Sequence, residues 1–140
     1  MAAGTTVVTT PGNVKFIETL TSVVHPLSSN PLAYKRPLPI ETFKEKRIFS
    51  DGEHVVELYN IGPTPHVDEM VIAHLPQEKL VFASDLFPVD FVGRTRLGDP
   101  GSIFFYEKIR QLDLNIERIA SGHGRIGTID ELRQAATANK

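Results

Sequence analysis

The sequence predicts an α/β (α+β) domain in which a mostly antiparallel sheet is flanked by helices. Three observations carry this. Between Ile40 and Ser84, apolar and β-branched runs are separated by connections too short to hold a crossover helix, so consecutive strands pair antiparallel. The runs Val71-Ile72-Ala73 and Leu80-Val81-Phe82 are apolar at successive positions, so both sheet faces need cover, by a helix layer on each or by a partner on one. Helix starts stand at Thr10-Pro11, Asp99-Pro100 and Thr128-Ile129-Asp130-Glu131.

In chain order, Thr5 to Thr10 is β-branched and predicts a short strand. Thr10-Pro11 supplies an N-cap and a first helical residue, and the spacing predicts a helix over 11–23 that buries Val14, Ile17, Leu20 and Thr21 on one side. Pro26, Ser28, Ser29, Asn30, Pro31, Pro37 and Pro39 mark an irregular stretch, read as a loop over the fold in preference to a linker. Phe43 and Ile48-Phe49 lead into Ser50-Asp51-Gly52, which has the residue types of a hairpin turn. Strands follow over 53–61, 70–75 and 79–84, the last two joined by Pro76-Gln77-Glu78. Residues 88–98 read as a loop, and a helix runs from Asp99-Pro100 to about Leu112 with Ile103, Phe104 and Ile109 as its apolar contacts. A short strand over 116–120 precedes the capping box of the last helix, Thr128 to Glu131. There is no internal repeat.

At 140 residues the chain has the size of one domain, 1–140, and can bury a core. Its 23% charged residues are close to average, which argues against intrinsic disorder. Net charge is −2 and Lys and Arg are scattered, so there is no footprint for nucleic acid or for an anionic membrane. The densest basic run, Lys44-Glu45-Lys46-Arg47, is interrupted by an acid and reads as a solvated strand edge. Cysteine is absent, which excludes disulfides, thiolate catalysis and Cys-based zinc fingers. Any metal must use His and carboxylate. No apolar run approaches the ~20 residues that span a bilayer, and the N-terminus lacks a signal-peptide pattern, so a soluble, cytoplasmic chain is expected. An export signal on an upstream part stays open.

Three segments each place one potential metal ligand where an apolar strand runs into a loop. They are Gly62-Pro63-Thr64-Pro65-His66, Val81-Phe82-Ala83-Ser84-Asp85-Leu86-Phe87 and Ala120-Ser121-Gly122-His123-Gly124. Imidazole nitrogen and carboxylate oxygen suit zinc and its neighbours, and strand ends hold ligands rigidly. Pro63 and Pro65 restrict the backbone that aims His66, Asp85 follows an apolar strand where an unpaired carboxylate is costly, and the glycines around His123 allow a tight turn. Taken singly, each has a plainer reading: an exposed loop His, an Asp capping a turn, a short Gly-His-Gly turn. His25, His54 and His74 lack ligand-like spacing and read as surface or satisfied core histidines. Arg94 and Arg96, in the loop after Asp85, are either contacts for an anionic substrate or solvated loop residues. Ser84 lacks a Gly-x-Ser-x-Gly turn, no phosphate-cradling glycine loop occurs, and there is no His-x-His or His-x-x-x-x-Asp-His cluster.

In order and context, these segments resemble the C-terminal half of the metallo-β-lactamase fold of hydrolases. The resemblance covers nearly the whole chain, because Thr5-Thr6-Val7-Val8-Thr9-Thr10-Pro11 is similar to the strand and helix start after that family's first metal motif. It implies half of a four-layer αββα sandwich. It also implies, residue by residue, that His66 binds a first metal, Asp85 bridges two metals and His123 binds the second. The first motif, His-x-His-x-Asp-His, would lie upstream of Met1, so the chain is expected to be the C-terminal portion of a hydrolase. In the intact fold, metal-activated water attacks an ester, thioester, β-lactam or phosphodiester of a small-molecule substrate. The isolated chain is then expected to be inactive or weakly active. Zinc is favoured by ligand type, and iron and manganese also accept this set. The alternative is a non-catalytic binding or structural module that forms a dimer or other homo-oligomer, or pairs with a separate N-terminal half. A truncated reading frame is a third expectation. His66 is followed by Val67-Asp68-Glu69, where many members of that family carry small residues and a Gly, so the substrate class stays open.

Overall fold

The computed structural model describes residues 5–22 and 38–138. It falls into two compact units, Met1–Lys44 and Glu45–Lys140. The irregular proline-rich stretch, His25 and the predicted helix end at Val23 lie outside the described residues, apart from Pro39.

In the first unit, β1 (Val7–Thr9) pairs in parallel with β2 (Ile40–Thr42), Val7 opposite Ile40. Pro11–Asn13 forms a single 3₁₀ turn and α1 (Val14–Ser22) follows it. Thr10 is extended and makes no side-chain cap to the backbone; its hydroxyl instead accepts from the Asn13 amide at 3.0 Å. Leu20, expected on the buried side of α1, is 52% exposed. At about 100° per residue, Val14, Ile17 and Thr21 share a narrow arc, whereas Leu20 falls well outside it.

The second unit is a six-stranded sheet in the order β3-β4-β5-β6-β7-β8 with two helices. Its strands are β3 (Lys46–Ser50), β4 (Val55–Gly62), β5 (Met70–Leu75), β6 (Leu80–Phe82), β7 (Arg118–Ala120) and β8 (Gly127–Thr128). The predicted hairpin forms around Asp51, whose carboxylate accepts from the backbone N–H groups of Glu53 and His54. Pairing is antiparallel from β3 to β6 and parallel between β6 and β7, Val81 opposite Ile119. The parallel step needs a crossover, and α2 (Pro100–Gln111) lies in it. Asp99 caps α2 by accepting from Ser102 N–H at 3.0 Å. Thr128 and Glu131 form the expected reciprocal capping box on α3 (Ile129–Thr137).

One sheet face carries the core. Ile72, Val81 and Ile119 cluster with Phe105 and Ile109 of α2 and with Leu132 and Ala135 of α3. The opposite face presents Phe49, Val56, Leu58, Ala73 and Phe82, placed together by register, and there Phe49 and Phe82 are exposed.

On the helix side, His74 is buried and its Nδ1 lies 3.0 Å from Glu57 Oε2, which also accepts from Tyr59 Oη at 2.8 Å. Lys46 Nζ donates to Glu57 Oε1 at 2.7 Å. Burial pushes the Glu57 carboxyl up, but the bonds from Lys46, His74 and Tyr59 outweigh it and hold the pKa at about 2, below its ordinary 4.5. The stability this provides is therefore complete above pH 4.5 and is lost as pH falls toward about 2. Glu57→Gln should flatten the stability–pH curve in that window, read by urea unfolding at successive pH values. Parallel loss in wild type and variant would show that other carboxylates set the acid limit. Phe105→Ala, at a fully buried α2 position, should cost about 3–5 kcal/mol in the same assay.

Candidate metal centre

Strand direction assembles the site. β4 and β6 flank β5 and both run antiparallel to it, and β7 runs parallel to β6, so β4, β6 and β7 all end at the same edge of the sheet. His66 follows β4, Asp85 follows β6 and His123 follows β7. Ligands of α/β sheets favour this crevice beyond the carboxyl ends of strands.

Each loop is tied down locally. β4 ends in a bulge between Asn60 and Gly62, with Gly62 at φ +72° and its N–H donating to Asn60 Oδ1 at 2.9 Å. Thr64 Oγ1 then accepts from the N–H groups of His66 at 3.1 Å and Val67 at 3.0 Å. The prolines alone were expected to aim His66; the Thr64 hydroxyl shares that work, and the Thr-x-His-Val spacing of a hydroxyl-closed turn was the signal for it. Ser84, just before Asp85, sits at φ +43°, a left-handed conformation that costs a non-glycine residue on the order of 1 kcal/mol or more. Its carbonyl accepts from Gly122 N–H at 3.0 Å, joining the Asp85 loop to the His123 loop. Gly124, at φ +82°, is so close to Val89 that a Cβ would overlap the Val89 carbonyl oxygen. Arg125 N–H donates to that same oxygen at 2.9 Å, and the Arg125 guanidinium pairs with Glu131 on α3. Sequence reading missed Ser84, Val89 and Arg125, because their contributions are backbone contacts between loops distant in sequence.

The three predicted side chains converge. His66 Nε2 lies 3.5 Å from Asp85 Oδ2, and His123 Nε2 lies 3.3 Å from Asp85 Oδ1. Asp85 Oδ2 also accepts from Ser84 Oγ at 3.3 Å. Asp85 Oδ1 is buried and has no hydrogen-bond partner among the described residues; His123 approaches it without hydrogen-bond geometry. The imidazoles face solvent, with 57% of the His66 and 81% of the His123 side chain exposed. Because the two rings approach different oxygens, the carboxylate stands between them as a bridge, and among the described residues no three His, Cys, Asp or Glu side chains are grouped to hold one metal ion.

A cleft of about 540 Å³ opens over these residues, bounded further by Leu86, Pro88, Arg96 and the start of α2 at Pro100 and Gly101. Asp68 and Glu69, the acids next to His66, do not line it. Arg94 turns back onto Asp90, Nε to Oδ2 at 2.7 Å, while Arg96 reaches the cleft wall. Asp90 is held below the usual carboxylate range by bonds from the backbone and side chain of Arg94. His74 is the satisfied core histidine expected, although its Nε2 has no partner among the described residues, and exposed His54 lies beside Asp51.

No family model matches the sequence, and no curated protein matches it. Solved structures do match by fold. The DIM-1 metallo-β-lactamase aligns with a TM-score of 0.59 at 18% identity over 94% of this chain and 55% of its own. A metallo-β-lactamase from Pontibacter korlensis gives 0.57 at 21% identity over 98% and 60%. The Flv1 flavodiiron core from Synechocystis gives 0.67 at 14% identity over 95% and 36%. The fold is that of a partial metallo-β-lactamase domain, mixed α/β with a mostly antiparallel sheet, as the sequence predicted. The chain spans about half the length of the first two structures and about a third of the flavodiiron core. Among the described residues no helix is long and apolar enough to cross a membrane.

Gly124→Ala should lower the unfolding free energy by more than 1 kcal/mol, since it adds left-handed strain to a steric overlap. Thermal unfolding checks this. A variant as stable as wild type would mean that the Val89–Gly124 approach is not required to hold the His123 loop.

Proposed function

We propose that the chain is the C-terminal portion of a metal-dependent hydrolase and contributes His66, Asp85 and His123 to a two-metal site. The convergence of both imidazoles on opposite oxygens of one carboxylate is the observation that carries this reading. Donors bonded to one tetrahedral zinc at about 2.0–2.2 Å stand roughly 3.4 Å apart, close to the two N···O separations here. A buried, unpaired Asp85 Oδ1 is costly without a cation or donor, and a metal removes that cost. His66 would belong to one metal, His123 to the other, and Asp85 to both. Such a metal supplies a water of lowered pKa and polarises a carbonyl or phosphoryl oxygen. The chain's own part is to hold two neutral imidazoles and one carboxylate on rigid strand ends. Zinc is the favoured ion, with iron and manganese compatible.

Each half of this site has one imidazole and one carboxylate oxygen, short of the three or four protein ligands usual for zinc. We therefore expect weak metal binding and little or no hydrolysis by the chain alone. Zinc titration against a chromophoric chelator should give weaker binding in His66→Ala and His123→Ala, and the weakest in Asp85→Ala. Unchanged zinc affinity in Asp85→Ala would sink the bridging role. Rapid turnover of β-lactam, thioester or phosphodiester probes by the metal-loaded chain would overturn the incomplete-site reading.

A second reading, of a binding or structural module, draws on the sheet face that exposes Phe49 and Phe82 side by side with half-buried Leu58 and Ala73. Apolar faces of this kind pair with a second copy or with a separate N-terminal half. Self-pairing predicts a concentration-dependent sedimentation coefficient that Phe82→Asp abolishes. A stable monomer at all concentrations would leave the separate half as the occupant to seek.

A further inference from the structure

β3 is an edge of the six-stranded sheet, paired with β4 and with no strand on its other side among the described residues. All five of its residues are exposed, including Ile48 at 53% and Phe49 at 39%, which lie on opposite faces. Proteins usually blunt such an edge with a proline, a bulge or outward charge. Here the register with β4 runs without a shift from Lys46 opposite Tyr59 to Ser50 opposite Val55, and β3 contains no proline. Its two cations are held on the chain's own surface. Lys46 Nζ donates to Glu57 and lies 4.7 Å from the centre of the Tyr59 ring, and the Arg47 guanidinium lies 5.4 Å from the centre of the Phe49 ring. The free edge also has a defined polarity. Asn60 N–H donates to the Glu45 carbonyl at 2.9 Å and Asp51 N–H to the His54 carbonyl at 3.4 Å, one bond at each end of the β3–β4 ladder. Antiparallel pairs alternate, so residues 45, 47, 49 and 51 turn their backbone toward β4, while Lys46, Ile48 and Ser50 turn N–H and C=O outward.

We propose that β3 pairs antiparallel with β3 of a second copy of the chain across a two-fold axis, with Phe49 opposite Phe49. Side-chain alternation and the two-fold leave three close registers, centred on Arg47, Ile48 or Phe49. Charge selects among them. Centring on Arg47 opposes the two arginines, and centring on Ile48 sets Glu45 against Asp51 of the second copy. Centring on Phe49 sets Arg47 against Asp51 of the second copy, and the reciprocal pair equally; the Asp51 side chain is 68% exposed. The two Phe49 rings then form a pair of the close, non-hydrogen-bonded kind, and Ile48 and Ser50 exchange backbone bonds across the axis. The chain turns at Gly52, φ +96°, which takes Glu53 out of the strand line and away from Glu45 of the second copy. The pairing is independent of the metal site. It differs from the face pairing above in using the strand edge, and it leaves the face around Phe82 open to another occupant. One strand edge is a small interface, so the dimer is weak and concentration-dependent.

The test follows the full chain by sedimentation from micromolar to millimolar concentration, with thermal unfolding as the check that each variant folds. Wild type should pass from monomer to dimer. Ile48→Pro removes an outward N–H that β4 does not use, so it should keep the fold and weaken association about tenfold or more. Arg47→Glu should weaken it severalfold, and Phe82→Asp should leave it unchanged. Cross-linking reads the register separately. The chain has no cysteine, so single cysteines report on their own positions. Under mild oxidation Phe49→Cys should join two copies faster than Ile48→Cys or Phe82→Cys. A chain that stays monomeric at millimolar concentration overturns the proposal. Association lost in Phe82→Asp and kept in Ile48→Pro overturns it too, and moves the contact to the sheet face. Faster cross-linking through Ile48→Cys overturns the Phe49 register.

Discussion

The parallel pairing of β6 with β7 is the constraint on which the rest depends. An all-antiparallel continuation from β6 would have delivered the third loop to the far edge of the sheet, away from His66 and Asp85. The insertion of α2 between the two strands turns the chain round, so that Phe82 and Ala120 lie opposite each other and the residues after them meet. The backbone bonds from Ala83 N–H to the Ala120 carbonyl and from Gly122 N–H to the Ser84 carbonyl extend the ladder past the strand ends. Asp85 and His123 are thereby fixed against one another by main chain, which is stiffer than any side-chain contact between them. The α2–α3 core holds the crossover in place, because Phe105 and Leu132 belong to the same cluster as Val81 and Ile119.

Two mostly shielded carboxylates show how differently this fold treats its charges. Glu57 receives donors from Lys46, His74 and Tyr59, so its ionised form is stabilised and its pKa is low. Because ionised Glu57 can only accept, His74 donates to it from Nδ1. Asp85 has one weak bond from Ser84 and an oxygen with none. A fold able to surround one carboxylate with three donors leaves the other under-satisfied at a cleft, next to a strained backbone residue. Strain and unpaired polarity concentrate where a site requires a ligand to complete it.

Most of the framework was legible because it is written in local chemistry. The capping residues Asp99 and Thr128, the hairpin acid Asp51 and the strand runs before His66, Asp85 and His123 each act within a few residues of themselves. The three candidate residues that the structure brings together were legible for the same reason, each sitting at a punctuated strand end. What stayed hidden acts across distance. Arg125 touches the Val89 carbonyl and Glu131 across two loops, and neither separation leaves a pattern in sequence. Leu20 shows the opposite failure: the apolar spacing was real, but the helix angle carried it off the buried arc. Arg94 and Arg96 were indistinguishable in sequence. Only the Asp90 turn, which claims Arg94 through two bonds to its backbone and side chain, separates them.

The division of labour between Asp90 and Arg94 also explains how a long loop can border a site without extensive secondary structure. Asp90 accepts from the N–H groups of Val92 and Arg94, its own N–H meets the Arg94 carbonyl, and Gly93 N–H returns to the Asp90 carbonyl. This closes a five-residue turn that projects Phe91 and Val92 into solvent, 83% and 75% exposed. Gly93, at φ +82°, has no Cβ, which leaves room for the Arg125 guanidinium against the turn. The turn is thus anchored from within by one carboxylate and from outside by an arginine that α3 holds through Glu131. Residues 95–98 inherit that anchorage at one end, and at the other Gly98 N–H donates to the Ala135 carbonyl of α3 at 2.8 Å. Arg96, which borders the cleft, thus lies on a short span between two fixed points, where the backbone has less conformational freedom than in a free loop.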